Sequence, residues 1–271
     1  SLNTSMEYPS LDKPTAGATR FNTDSSQLEI YDGNQWTGVL STSPEQQTGG
    51  TRGLFIGSDQ GNMIDFINIS TTGNAADFGD IYINTSNLDG SSDRTRAVFS
   101  GGYSNEISKL QIDTLGNSSD FGDLTDARGN IMCAANRTRG LFMGGYSPNQ
   151  PGGLCTIDYV TIQSVGNAVD FGDIRDRNYE GAGMASPVRA IATGGDSTPG
   201  TIGQAVGFID SVIISTLGNA VGFGEQHTFN TWQRSCASNA VRGLILGGYT
   251  SPDETNRIEY ISMSSAGKGL D

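Results

Sequence analysis

The chain has 271 residues, with 29 acidic against 16 basic side chains, a formal charge of −13 and a single histidine. That balance excludes a nucleic-acid partner, whose phosphates need clustered cations, and one imidazole leaves little for metal cages or catalytic triads. Charged residues make up only 17% of the chain and glycines number 38, the composition of a turn-rich β protein with a neutral-polar surface.

Residues 1–13 are polar, contain Pro9 and run into Pro14. They read as an extended arm with little core of its own, suited to docking on a neighbouring subunit. From Pro14 the text becomes specific. Arg20-Phe21-Asn22-Thr23-Asp24 and Leu28-Glu29-Ile30-Tyr31 flank a polar turn, Asp32-Gly33 opens a second turn, and Trp36 follows. The spacing predicts a β-hairpin module over 14–35.

Beyond it one text recurs. Its clearest copy opens at Arg139, reaches Gly144-Gly145-Tyr146, and after a loop continues as Ile157-Asp158-Tyr159-Val160-Thr161-Ile162. It ends in Gly166-Asn167-Ala168-Val169-Asp170-Phe171-Gly172-Asp173. The opening arginine stands at Arg52, Arg96, Arg139, Arg189 and Arg242, in steps of 44, 43, 50 and 53 residues. A small pair follows at Gly57-Ser58, Gly101-Gly102, Gly144-Gly145, Gly194-Gly195 and Gly247-Gly248. The alternating run starts at Ile64, Ile107, Ile157, Ile209 and Ile258, and four copies reach an aromatic 14 residues later, at Phe78, Phe121, Phe171 and Phe223. Such periods, with short alternating runs between glycine-rich turns, mean radial or stacked β units. No copy holds an apolar 3.6 period long enough for a three-turn helix.

Each copy is expected to form four strands. The innermost is a small-residue run, at Thr48-Gly49-Gly50, Cys133-Ala134-Ala135-Asn136, Met184-Ala185-Ser186-Pro187 and Cys236-Ala237-Ser238-Asn239. The glycine pair, the Ile run and Phe-Gly-Asp mark the other three. In the fifth copy the aromatic would fall one position past Asp271, while Trp36-Thr37-Gly38-Val39 resembles the Phe-Gly-Asp text. Residues 36–40 are therefore expected to supply the outer strand of the last unit, leaving no free edge.

An arginine, four or five residues, Gly-Gly-Tyr, a loop, an alternating strand and then an aromatic resemble a kelch-type blade. The resemblance covers about residues 28–271, with Phe for the usual Trp in four copies and Ser58 in the first small pair. It implies an all-β, five-bladed kelch-like β-propeller of four-stranded blades over 36–271, its last blade closed by an N-terminal strand. It implies a fold and not an activity. The "RFNTD…EIYDG..W" text of residues 20–36 resembles a short module of bacteriophage tail fibres and other virion appendage proteins. That resemblance implies an extracellular virion protein, homo-oligomeric, bound to other virion proteins through its arm. Its propeller loops would meet a host surface glycan or protein. A bacterial secreted or surface kelch-like lectin and a purely structural virion decoration protein are the alternative readings.

Between the small pair and the Ile run lie 5, 4, 11, 13 and 9 residues, whereas the turn into Phe has constant length. One face is thus expected to carry loops of unequal length, as recognition surfaces do. Tyr103, Tyr146 and Tyr249 open these loops, Asn149, Asp196 and Asp253 lie in them, and Trp232 lies near a connection between units. Rings of this kind stack on sugar faces while Asn and Asp bond hydroxyls, so these seven are the candidate ligand-binding residues. The competing role for the tyrosines is packing between units.

Catalysis is not expected. Asp77-Phe78-Gly79 spells the kinase metal-binding tripeptide, but it recurs and lacks the rest of the kinase set, so it reads as a strand end. His227 lies in a polar loop with no nucleophile elbow nearby. Asp123, Asp126, Asp173, Asp176 and Glu180 are expected in connections on the variable face, where no pair stands out as a glycosidase pair. No EF-hand-like spacing marks a calcium loop, and no cofactor or metal is expected. Cys133, Cys155 and Cys236 cannot all pair, and Cys133 and Cys236 read as small buried thiols on one repeated inner strand. No apolar run reaches membrane-spanning length and no signal peptide is visible, so no membrane insertion is expected.

Overall fold

A computed structural model describes residues 14–22, 27–39, 51–58, 61–82, 86–150, 153–196, 207–227, 231, 233–250 and 253–270. Among them all regular structure is β. The arm 1–13 and the expected inner strand Thr48-Gly49-Gly50 lie outside the described residues. The chain divides into two units, Ser1–Glu45 and Gln46–Asp271.

The first unit is an antiparallel sheet of β1 (Thr19–Asn22), β2 (Gln27–Tyr31) and β3 (Trp36–Gly38) in that order. The motif residues are the ones that close it. Glu29 receives Arg20 Nε at 2.7 Å and Asn22 Nδ2 at 2.9 Å, and these bonds hold its carboxyl below the usual range. The Arg20 guanidinium lies 4.2 Å from the Trp36 ring centre, and Tyr31 packs on the same indole. Asp32 makes the turn, accepting from the backbone N–H groups of Asn34 and Gln35, both at 2.7 Å. The strand expected to close the last repeat is therefore the third strand of this small sheet, with Tyr31 paired to Trp36 and Glu29 to Gly38.

The second unit holds one sheet per repeat. The first is β4 (Arg52–Ser58), β5 (Gly61–Asn68) and β6 (Ala76–Asp80). The second is β7 (Leu88–Ser92), β8 (Arg96–Gly101), β9 (Ser104–Gln111) and β10 (Ser119–Arg128). The third is β11 (Met132–Ala135), β12 (Arg139–Met143), β13 (Leu154–Thr161) and β14 (Val169–Asn178). The fourth is β15 (Ala182–Ala185), β16 (Arg189–Thr193), β17 (Phe208–Ile213) and β18 (Val221–Glu225). The fifth is β19 (Ser235–Ser238) and β20 (Arg242–Leu246), a small separate hairpin of β21 (Tyr249–Thr250) and β22 (Asp253–Glu254), and β23 (Ile258–Ser262). Within each sheet strands pair antiparallel in chain order, and Leu270 bridges Tyr260 at the outer edge of β23.

The inner strands touch from repeat to repeat: β11 meets both β7 and β15, and β15 meets β19. The small-residue runs at Cys133, Met184 and Cys236 lie on these strands, and Leu88–Ser92 is their counterpart in the second repeat. Each core cluster is shared by two successive sheets. Val98, Ile107 and Phe121 of the second sheet pack with Cys133, Phe142 and Val160 of the third, and Met132, Ile157 and Phe171 with Ala190, Val212 and Ile214 of the fourth. Among the described residues no repeat buries its apolar side chains alone, as in other repeat architectures.

The Phe-Gly-Asp text makes the joint between repeats. In four repeats the pairing of the third and fourth strands slips by one residue at the phenylalanine, a β-bulge opposite Ile64/Asp65, Ile107/Ser108, Ile157/Asp158 and Ile209/Asp210. The bulge turns Phe78, Phe121, Phe171 and Phe223 into the core, all at most 3% exposed. The carbonyls on either side of the glycine then accept from the Gly-Asn turn of the next repeat. Gly218 N–H reaches Phe171 O at 2.8 Å and Ala220 N–H reaches Asp173 O at 2.7 Å. The same two bonds join Gly116 and Ser118 to Phe78 and Asp80, Gly166 and Ala168 to Phe121 and Asp123, and Gly267 and Gly269 to Phe223 and Glu225. In three joints the Asn117, Asn167 or Asn219 side chain also accepts from the aspartate N–H.

The repeat arginine is a staple across the same joint. Arg52, Arg96 and Arg139 donate through Nη1 to the carbonyls of Ile112, Ile162 and Ile214 in the following repeat, at 2.6, 2.9 and 2.8 Å. The guanidinium also lies over an aromatic of its own repeat, Phe66 for Arg52, Tyr159 for Arg139, Phe223 for Arg189 and Tyr260 for Arg242. A carboxylate on the Ile strand grips the incoming connection. Asp158 takes Thr125 N–H, Thr125 Oγ1 and Arg128 Nη2, with both ion-pair side chains fully buried. Asp210 takes Arg175, and Glu259 takes His227 N–H and Arg234.

A Cβ on Gly172 would lie 2.6 Å from the carbonyl carbon and oxygen of Gly218, whereas a Cβ on Gly218 would meet nothing within 4 Å. Both glycines have φ near +140°, at +141° and +145°, so alanine at either position carries backbone strain of about 1–3 kcal/mol. Only Gly172→Ala also opens the joint. It should lower the thermal midpoint clearly more than Gly218→Ala, and equal losses would mean that the close approach does not matter. Arg139→Met should cost about 1–2 kcal/mol in urea unfolding through the lost charged hydrogen bond.

Candidate ligand face

Four non-glycine residues stand at positive φ immediately ahead of the inner strands: Asn87 at 58°, Asn130 at 52°, Glu180 at 57° and Gln233 at 54°. Their steps of 43, 50 and 53 (130−87, 180−130, 233−180) match those of the repeat arginines, so each occupies one position of the repeat. The left-handed backbone turns each N–H onto the preceding member. Asn130 N–H donates to Asn87 O at 3.3 Å, Glu180 N–H to Asn130 O at 3.1 Å and Gln233 N–H to Glu180 O at 2.8 Å. Left-handed non-glycine residues cost on the order of 1 kcal/mol or more and gather at functional sites.

The side chains of this ladder meet one another. Asn130 Nδ2 lies 3.4 Å from Glu180 Oε1, and Gln233 bonds the same carboxyl. Asn87 Nδ2 reaches Ser86 Oγ and the Tyr103 hydroxyl at 3.4 and 3.5 Å. These bonds are long and therefore weak.

Beside the ladder runs an arc of tyrosines. The Tyr103 and Tyr146 rings meet edge to face with centres 6.0 Å apart, and Tyr146 and Tyr179 at 5.7 Å with a 59° tilt. Both residues of the glycine pair before Tyr146 are left-handed, at 61° and 106°, which lets the loop double back and Tyr146 bridge Gly129. Gly129 in turn leaves room for Tyr103, because a Cβ there would lie 3.1 Å from its ring. Asp196 is the counterpart of Tyr146 one repeat on and bridges Tyr179.

The field on this face is negative. Burial, then the charges of Asp196 and Glu180, push the Tyr179 hydroxyl up to about 12. Burial and then Asp196 raise the Glu180 carboxyl. Arg128 and Arg234, whose chain positions flank the ladder, are fully buried against Asp158 and Glu259. Deeper between the inner strands, Asp89 accepts from Cys133 N–H at 2.7 Å, and burial raises its carboxyl to about 6. Burial likewise raises the Cys133 and Cys236 thiols, the latter to about 12, so neither is a poised nucleophile.

Of the candidate residues, Tyr103, Tyr146 and Asp196 come together, linked by Tyr179, which sequence reasoning did not single out. Asn149 is exposed in the turn after Ser147, and Tyr249 and Asp253 sit on the β21–β22 hairpin. Trp232 lies outside the described residues. The carboxylates Asp123, Asp126, Asp173 and Asp176 belong to the ten-residue strands β10 and β14 and not to loops, which leaves Glu180 as the member of that set on the ladder. Asn87, Asn130 and Gln233 were also missed. Asparagine favours the left-handed region, but Glu180 and Gln233 at the same repeat position hide the signal. His227 is exposed, its Nδ1 3.2 Å from Arg257 Nη1.

A groove of about 390 Å³ lies between β4 and β7, lined by Arg52, Leu54, Ile56, Leu88, Asp89 and Phe99. It follows the edge of β4 that an inner strand takes in the other repeats, so it is assigned no ligand.

Comparison with protein-family models finds no match, and comparison with curated proteins finds no sequence match either.

Asp89 gives this region a pH signature. Its carboxyl titrates higher in the fold than in the unfolded chain, so the fold binds the proton more tightly and loses stability as pH rises from about 4 through about 6. Asp89→Asn should remove that component. Urea midpoints measured between pH 4 and 7 should fall more steeply for the parent than for the variant, and parallel slopes would refute the assignment.

Proposed function

We propose that the chain is a non-enzymatic virion appendage protein of the tail-fibre, receptor-binding type. In this reading the second unit is a five-bladed kelch-like β-propeller whose loop face binds a host surface glycan or protein. Residues 1–13 attach it to other virion proteins or to sister copies.

The observation that carries this reading is the ladder of strained residues beside the tyrosine arc, at the roots of the loops whose length varies. Four left-handed non-glycine residues at one repeat position support a functional reading of that face, because such conformations gather at binding sites. The propeller form is supported by inner strands that touch in series and by the ladder that links them head to tail. The virion assignment is supported by the first unit, because Arg20, Asn22, Glu29, Tyr31, Asp32 and Trp36 of its phage-fibre-like text are the residues that hold its sheet together.

The test is adsorption competition. Purified full chain should bind host cells saturably and block virus attachment, and shortening the connections between Ser147 and Leu154 and between Asp196 and Phe208 should weaken both while leaving thermal unfolding near that of the parent. Absence of binding to every candidate host would overturn the receptor reading and leave a structural part of a particle.

A further inference from the structure

The tyrosine arc and the ladder differ in what they offer a ligand. The arc presents aromatic faces and edges, with Tyr103 41% exposed and Tyr146 standing between its two neighbours. Aromatic faces attract cations. Glu180 follows Tyr179 in the chain and is half-buried, and Asp196 is buried and bonded to the Tyr179 hydroxyl. Burial raises the proton affinity of that hydroxyl most, and the charges of Asp196 and Glu180 add to it. The ladder offers amides. Asn87, Asn130 and Gln233 each present a donor and an acceptor together, the combination that pairs with sugar hydroxyls. Their present bonds of 3.4–3.5 Å at Asn87 and Asn130 are weak enough for a ligand hydroxyl to replace.

We propose that this face takes an amino sugar of a surface glycan, its ammonium group against the tyrosine arc beside Glu180 and its hydroxyls on the amides of Asn87, Asn130 and Gln233. The proposal rests on the receptor reading and names its ligand class. A lysine side chain would satisfy the arc alone and leave the amides without hydroxyl partners. An acidic glycan meets two carboxylates here and a chain charge of −13.

The test uses the full chain in isothermal titration with a glucosamine oligomer, its N-acetylated counterpart and a uronic-acid oligosaccharide. The free amine should bind about tenfold tighter than the acetylated sugar, more weakly in high salt, and the acidic sugar should not bind. Glu180→Gln keeps the side-chain shape and should cost about tenfold. Tyr103→Ala should weaken binding, whereas Tyr103→Phe, which keeps the ring packed on Tyr146, should bind the amine much as the parent does. Equal affinity for the amine and the acetylated sugar, a preference for the acid, or no effect of Glu180→Gln overturns the proposal.

Host-cell adsorption is measured in parallel. Adsorption that the glucosamine oligomer does not compete overturns the amino-sugar proposal and leaves the receptor reading standing. Glucosamine binding without adsorption to any cell overturns the receptor reading and keeps the site.

Discussion

The second unit depends on one contact made four times, where the backbone of a Phe-Gly-Asp (or Phe-Gly-Glu) strand end lies against the glycine turn of the following repeat. Two N–H to carbonyl bonds cross each joint. They form because the glycine after each phenylalanine lets the turn come close, with no room for a Cβ on Gly79, Gly122, Gly172 or Gly224. The bulge that exposes those carbonyls is the same irregularity that drops the phenylalanine into the core between sheets. Hydrogen bonding and apolar burial are thus coupled at each of these joints, and at three of them an arginine staple adds a charged bond to a neighbouring carbonyl. Since each core is shared by two sheets, a fault at one joint removes support from both.

That rigidity is what lets the ladder be strained. Left-handed residues persist only where the surroundings over-determine them, and here each is fixed by the inner strand that follows it and by the N–H to carbonyl bond to its neighbour. The buried carboxylates serve the same end. Asp158, Asp210 and Glu259 anchor the segments that arrive from the previous repeat just before the ladder position. They also hold Arg128 and Arg234 inward, and the face is left to aromatic, amide and acidic groups.

Much of the fold was legible because a repeat states its own register. Five arginines, five small pairs and four phenylalanines at a constant 14 residues from the Ile run mark strands two to four without reference to structure. The innermost strand was found where it is rich in Ala, Ser and Cys and missed at Leu88–Ser92, whose composition does not announce it. Trp36 was misleading for a local reason. Its text imitates Phe-Gly-Asp, yet Arg20 and Tyr31 hold the indole within the first sheet.

The sequence by itself determined the number of repeats, the alternation that makes their strands, the loops that vary and the residues of the small N-terminal sheet. These are local patterns, governed by side-chain periodicity and turn chemistry, and they need no knowledge of what lies across space. Tertiary structure alone decided that Gly-Asn turns dock on the preceding Phe-Gly-Asp strand, that Arg52, Arg96 and Arg139 each reach a carbonyl in the next repeat, and that Tyr179 links Tyr146 to Asp196. It also decided that two asparagines, a glutamate and a glutamine share one backbone conformation. Those features come from contacts between residues as much as 75 positions apart, and the backbone groups that make most of them carry no mark in the sequence.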